Sequence, residues 1–361
     1  MSGLRLEIDL GKIGDNTREL VNQAAKHKIS ITAVTKAMLG YPDLARTLVA
    51  AGASALGDSH IENIERMRSA GVCTPMVVLR SPMTSQVDRV VRADTMSLNT
   101  ETEVLSHLAS AARIAGRIHD VMLMVELGDL REGVMPLALP ETVRHVLGLP
   151  TLRLAGLGAN LACRNGIEPS AKNMAELSAM VETVETTFGV AVEIVSGGNS
   201  ANLGWAFGSS TPSRINNLRL GESILLGREP LHRRPIEGLH TDCVTLVAEV
   251  IESKRKPTKP WGHSGQNSFG ETPEIEDRGD IWQTILAVGR QDTDPSDLIA
   301  PDGTVILAAS SDHLIVQTLE RRSPGDEIRL EPGYSALLRS MTSPFVQSSG
   351  AALRQERSMI G

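Results

Sequence analysis

The chain has 361 residues, enough for one large domain or two unequal ones. Hydrophobic residues make up 41% and charged residues 22%, and a net charge of −7 with a pI near 5.8 argues against a general nucleic-acid binder, which needs a basic face. No signal peptide or 18-residue apolar run is visible, and Cys73, Cys163 and Cys243 form no Cys-x-x-Cys pair, so we expect a cytoplasmic protein without membrane span, disulfide framework or metal site.

In chain order, Leu4–Asp9 reads as an opening strand ahead of a first helix. From Ser30 onward short apolar runs recur: Ile31–Thr35, Ala53–Leu56, Met76–Leu79, Asp94–Leu98, Val121–Leu127, Leu152–Leu157, Val192–Val195 and Leu218–Leu220. Amphipathic segments lie between them, among them Pro42–Ala51, Ile61–Ala70, Glu101–Ala115 and Pro169–Phe188. The third puts Val104, Leu105, Leu108, Ala111 and Ala112 on one helical face. Eight strands alternating with helices predict an α/β fold of the (β/α)8 barrel type. A doubly wound sheet, the rival, would carry a Gly-rich turn where this chain has Lys36-Ala37-Met38-Leu39.

Beyond Pro230–Pro235 the character changes. Thr241–Ile251, Trp282–Ala287, Thr304–Ala308 and Leu314–Leu319 read as strands with no long helices between them. The polar stretch from Ser253 to Asp280 reads as a surface excursion or a functional loop. The expected division is a barrel domain, 1–235, and a mainly β domain, 236–361, with the opening strand 4–9 a candidate to pack with the second.

Lys36 ends the first barrel strand, on the side where barrels of this kind do their chemistry. A strand-end lysine can simply snorkel to water. Desolvated, it has a lowered pKa and can form a Schiff base with an aldehyde cofactor. Two later loops suit an anion. Ser196-Gly197-Gly198-Asn199-Ser200 follows strand seven, and Arg219-Leu220-Gly221-Glu222 lies at strand eight. Together with the lysine they point to a phosphorylated aldehyde such as pyridoxal 5′-phosphate. The histidines show no metal-type pairing; His313 stands out because Ser310-Ser311-Asp312-His313 interrupts an apolar strand run.

With these motifs in place, the chain resembles the alanine racemase-like, fold-type III pyridoxal-phosphate enzymes, in their ornithine racemase branch. The resemblance rests on Ala33-Val34-Thr35-Lys36, on Val125 through Gly133, and on Gly158 through Cys163. It continues through the two anion loops, Gly289-Arg290-Gln291-Asp292, Ser310 through Leu314, and Met341 through Phe345. It implies that Lys36 carries the cofactor and acts as one of two proton-transfer bases. Arg131 would contact the cofactor's phenolic oxygen side and Asn160 its ring. Ser200, Gly221, Glu222 and Tyr334 would hold the phosphate. Arg219 would face the pyridine nitrogen, and a guanidinium can only donate there. Ser311 and Asp312 would lie by the substrate carboxylate, reaching in from the partner of a homodimer with shared sites.

Two departures narrow the reading. Alanine racemases take their second base from a tyrosine where this chain has Phe269, and Met124 stands where many of them carry a modified lysine. The resemblance therefore implies a racemase of a free, basic amino acid, ornithine and then lysine, with Arg290 and Asp292 beside the substrate. Cys163 is the candidate second base, with His263, His313 and Asp312 in reserve. The alternatives are an alanine or broad-specificity racemase, a D-amino-acid lyase or aldolase of the same fold, and a non-catalytic cofactor-binding protein.

Overall fold

A computed structural model describes residues 3–208, 213–272 and 276–349. It divides into two compact units, Leu10–Thr241 and Met1–Asp9 with Asp242–Gly361. The elements run β1 (Arg5–Ile8), α1 (Leu10–Lys26), β2 (Ser30–Val34), α2 (Pro42–Ala50), β3 (Ala55–Asp58), α3 (Ile61–Ser69), β4 (Met76–Val78), α4 (Val87–Arg92), β5 (Met96–Asn99) and α5 (Thr102–Ile114). They continue β6 (His119–Val125), α6 (Leu139–Leu147), β7 (Leu152–Ala159), α7 (Ala171–Phe188), β8 (Ile194–Ser196), α8 (Leu203–Gly208), β9 (Asn217–Leu220) and α9 (Glu222–Leu226).

Strands β2 through β9 close into a parallel barrel, with β2 hydrogen-bonded to both β3 and β9. These are the eight apolar runs expected from the sequence, shifted by a few residues at their ends. Met96 and Leu98 of β5, Met122 and Met124 of β6, Val77 of β4 and Ile194 of β8 meet in one cluster. Side chains of β4 and β8 can meet only across the barrel's interior, so this cluster is its packed centre. Gly158 of β7 makes room for it: a Cβ there would sit 3.0 Å from Met122 Sδ and 3.1 Å from Met124 Sδ.

The helices cover the outside with their apolar faces. Helix α5 buries Leu105, Leu108, Ala111 and Ala112 while Val104 is half-buried. Helix α7 opens on a capping box between Ser170 and Asn173 and stops at Gly189, which adopts the left-handed conformation. Among the described residues, no helix is long and apolar enough to cross a membrane.

The second unit contains β10 (Val244–Pro257), β11 (Asp280–Leu286), β12 (Leu298–Ile299), β13 (Thr304–Ala309), β14 (Leu314–Thr318), β15 (Glu327–Pro332), α10 (Tyr334–Thr342) and β16 (Gln347–Ser349). Its sheet runs β12-β15-β10-β11-β14-β13, and β1 adds to β10 antiparallel and to β16 parallel. The polar stretch from Ser253 is a partial correction. Its first five residues continue β10 and pair with β11, Lys254 opposite Gln283 and Lys256 opposite Ile281. Charge did not mark a loop there because Lys254 and Lys256 stay in water and pair with Glu252. Strand β15 and helix α10, absent from the expected pattern, complete the unit.

Candidate active site

The site assembles from loops at the carboxyl ends of the barrel strands. After β2, Thr35 leaves the strand and Lys36 begins a short 3-10 turn that ends on Leu39 in the left-handed region. Thr35 Oγ1 donates to Asp58 Oδ2 at 2.7 Å, and Asp58 Oδ1 accepts from His60 N and Asn63 Nδ2, which fixes the turn from β3. Lys36 is half-buried, and burial pushes its amine below the ordinary lysine range. The nearby Arg131 cation acts in the same direction, while the acidic groups of Cys163, Asp58 and Glu132 oppose it.

Arg219, on β9, is buried and also feels Arg131, Cys163 and Glu132. Burial pushes its guanidinium down to about 10, which still leaves it charged at neutral pH. Nη1 donates to Ser196 Oγ and Nη2 to the Ala159 carbonyl at 2.7 Å. Ser196 passes the chain on to Asn217 Oδ1 at 2.7 Å, and Asn217 Nδ2 reaches Thr32 Oγ1 at 3.1 Å. This polar ladder runs through the barrel toward a cavity of about 620 Å³ at the amino-terminal ends of the strands, whose lining includes Arg219, Asn217, Thr32 and Met122.

The β7 and β8 loops meet at Asn199. Its Nδ2 donates to the Leu161 carbonyl at 2.8 Å, to Asn160 Oδ1 at 3.2 Å and to Cys163 Sγ at 3.4 Å. Asn160 Oδ1 also faces Arg219 Nη2 at 3.5 Å, whereas Asn160 Nδ2 is buried without a hydrogen-bond partner. Ser200 Oγ lies 2.9 Å from Ser223 Oγ and accepts from Ser223 N at 3.2 Å and Gly221 N at 3.4 Å. A Cβ on Gly221 would stand 3.1 Å from Val34 Cβ, so the β9 turn packs closely on β2. Glu222 pairs with Arg233, and Arg131 with Glu132 at 2.6 Å.

Thus Lys36, Arg131, Asn160, Cys163, Ser200, Arg219 and Gly221 lie in one unit. Lys36 and Arg219 both feel the charges of Arg131 and Cys163, Asn160 faces Arg219, and Ser200 accepts from Gly221 N. Tyr334, Arg290, Asp292, Ser311 and Asp312 belong to the other unit. There Tyr334 opens α10, and Asp312 Oδ1 accepts from Ser310, Ser311 and His313 on an exposed turn. Arg290 stacks 4.1 Å over the Phe269 ring and pairs with Glu271. Asp292 is set differently from Arg290. It is buried, with Oδ1 accepting from Ser343 Oγ at 2.9 Å and Oδ2 from Gly289 N at 3.3 Å. A carboxylate enclosed in this way braces the Gly289–Asp292 turn against Ser343. Sequence reasoning took Ser196 and Asn199 only as members of an anion loop and gave Glu132 no separate role. Asn199 was visible as part of a Gly-Gly-Asn-Ser turn, but its three partners on another strand's loop were not.

The comparisons with known proteins agree with this architecture. Residues 8–229 match the family model "Alanine racemase, N-terminal domain". An ornithine racemase of Acetoanaerobium sticklandii is 35% identical over 95% of this chain and 98% of its own length. A lysine racemase of Thermotoga maritima is 37% identical over 95% of the chain and 97% of its own. The crystallised alanine racemase of Streptomyces coelicolor superposes with a TM-score of 0.75, covering 96% of this chain and 98% of that one at 20% identity, a likeness of fold. The chain belongs to the alanine racemase N-terminal domain family.

Proposed function

We propose that this protein is a pyridoxal-phosphate-dependent racemase of a basic amino acid, ornithine first and lysine second, acting in the cytoplasm as a homodimer with shared sites. One observation carries the reading: a half-buried amine, Lys36, and a thiol, Cys163, sit on loops of different strands around a buried Arg219. The near full-length likeness to an ornithine and a lysine racemase supports the substrate class. The residues fit the cofactor. Asn160 Nδ2 is a buried donor with no protein acceptor, as a group awaiting a ligand oxygen would be.

Lys36 would hold the cofactor through its amine, Arg131 and Asn160 would donate to its ring substituents, and Ser200 with the Gly221 and Glu222 backbone would hold its phosphate. Bound pyridoxal phosphate supplies the electron sink that makes the substrate Cα–H acidic. Arg219 remains a hydrogen-bond donor throughout, since a guanidinium does not release its proton near neutral pH. Lys36 Nζ takes or returns the α-proton on one face of Cα, and Cys163 Sγ does so on the other. Ser311 and Asp312, on their exposed turn, would reach the partner's substrate carboxylate.

The test is Cα–H exchange in deuterated water. Wild type should favour ornithine and lysine over alanine by at least tenfold in kcat/KM, a difference worth about 1.4 kcal/mol. Cys163→Ser should keep exchange from the enantiomer deprotonated by Lys36 and lose it from the other. Equal turnover of alanine would remove the substrate assignment, and normal two-sided exchange in Cys163→Ser would remove the thiol.

A further inference from the structure

Asp129, on the loop after β6, is fully buried, and among the described residues no lysine, arginine or histidine forms an ion pair with it. Its charge is met by one backbone turn of the loop after β7. Oδ2 accepts from Cys163 N at 3.1 Å and Arg164 N at 3.0 Å, and Oδ1 from Asn165 N at 3.1 Å. Two bonds return: Asn165 Nδ2 donates to the Asp129 carbonyl at 2.7 Å, and Arg164 Nη1 to the Leu130 carbonyl. The carboxylate thereby staples the loop that carries Arg131 to the loop that carries Asn160 and Cys163.

Both loops are bent against local preference. Leu130 (φ 53°) and Ala162 (φ 57°) lie in the left-handed region, which a residue with a side chain keeps only where its surroundings enforce it. Ala162 directly precedes Cys163, so its backbone sets where the thiol points. Cys163 is thus held from two separate loops, at its backbone N–H by Asp129 and at its sulfur by Asn199 Nδ2 at 3.4 Å.

We propose that Asp129 is a positioning residue for proton transfer: it fixes the 162–165 turn and so holds the Cys163 thiol in register with Lys36. The inference rests on the reading of Cys163 as the second base. A carboxylate is the group the turn requires, because both oxygens only accept. An amide of the same shape would turn an NH2 against one of the three donors. A proton carrier displaced by about an ångström loses catalysis even where the cofactor is still bound.

Asp129→Asn keeps the size and removes that acceptor. In the holoenzyme, Cα–H exchange is followed from each enantiomer. Alkylation of Cys163 by iodoacetamide is followed in parallel by mass spectrometry, with the exposed Cys73 as internal reference. Exchange should fall about tenfold or more from the enantiomer served by Cys163 and stay within about threefold from the other, with the Cys163-to-Cys73 alkylation ratio changing at least threefold. Adding Ala162→Gly, which removes the left-handed penalty, should recover about threefold of the loss. Equal losses from both enantiomers, an unchanged alkylation ratio or absence of rescue would overturn the proposal. Should Asp129→Asn fail to fold, Asn165→Ala removes only its own return bond to the Asp129 carbonyl and carries the same one-sided expectation, and a symmetric effect there is equally fatal. One-sided loss in Cys163→Ser beside normal Asp129→Asn sinks the positioning role alone. Normal Cys163→Ser sinks the base assignment and this inference with it.

Discussion

Arg219 illustrates how a single side chain acquires a fixed task. Its two terminal nitrogens bond in different directions, to Ser196 Oγ and to the Ala159 carbonyl, so the planar fork is locked before any ligand arrives. Lysine has the charge but not the fork. Arg219→Lys should lower kcat at least about tenfold, roughly 1.4 kcal/mol, while bound cofactor measured by absorbance stays near stoichiometric. An unchanged kcat would mean that the fork's geometry is not used. Legibility at this scale depended on whether a residue's partners lie nearby in sequence. Lys36 was readable because an apolar strand ending on an amine is anomalous by itself. Asp129 was not, since Gly128-Asp129-Leu130 looks like a solvated turn until Cys163, Arg164 and Asn165 are seen to donate to it. The burial of Asp292 was not legible for the same reason: its partner, Ser343, stands far along the chain.

At the scale of elements, the barrel strands were legible because a parallel strand buried on both faces leaves an unbroken apolar run. Helix α4 was not, being only six residues long, and α6 went unread although Leu139, Val143 and Val146 form its buried stripe. Outside the barrel interior, His119 at the start of β6 is buried with Nε2 2.8 Å from Ser97 Oγ. Burial pushes its imidazole down to about 4 from an ordinary 6.5. The unfolded chain then binds this proton more readily than the folded one, so the stability is fully present above pH about 6.5 and is lost as pH falls toward 4. The full difference is on the order of 3 kcal/mol. Urea unfolding of His119→Gln should show a flatter decline over that interval; the same slope as wild type would assign the acid sensitivity to other groups. Gly227, which ends α9 at φ 62°, is a second such point. A Cβ there would meet the His240 carbonyl oxygen at 2.2 Å. Gly227→Ala should therefore cost more than about 2 kcal/mol in the same assay, and a loss below about 0.5 kcal/mol would show that the turn yields freely.

For the whole molecule, the homodimer reading makes a quantitative demand. If each site takes Lys36 from one subunit and Asp312 from the other, Lys36→Ala and Asp312→Ala proteins are separately inactive. Their mixture, after subunit exchange, should regain about a quarter of wild-type activity, because half the dimers are mixed and each has one complete site. No recovery despite proven exchange would mean that the sites are not shared. The two units also differ in how they can be made. The barrel unit is one unbroken segment of chain, free to close as soon as Thr241 has emerged. Strand β1 is not so placed: Arg5 pairs with Val247 and Gln347, and Glu7 pairs with Arg329. During synthesis β1 therefore waits as an unpaired edge while the whole barrel is translated; β10 follows directly after it and β16 only near the end. A tag or truncation at the amino terminus would consequently injure the sheet built by the carboxyl-terminal half, and spare the barrel that follows it in sequence.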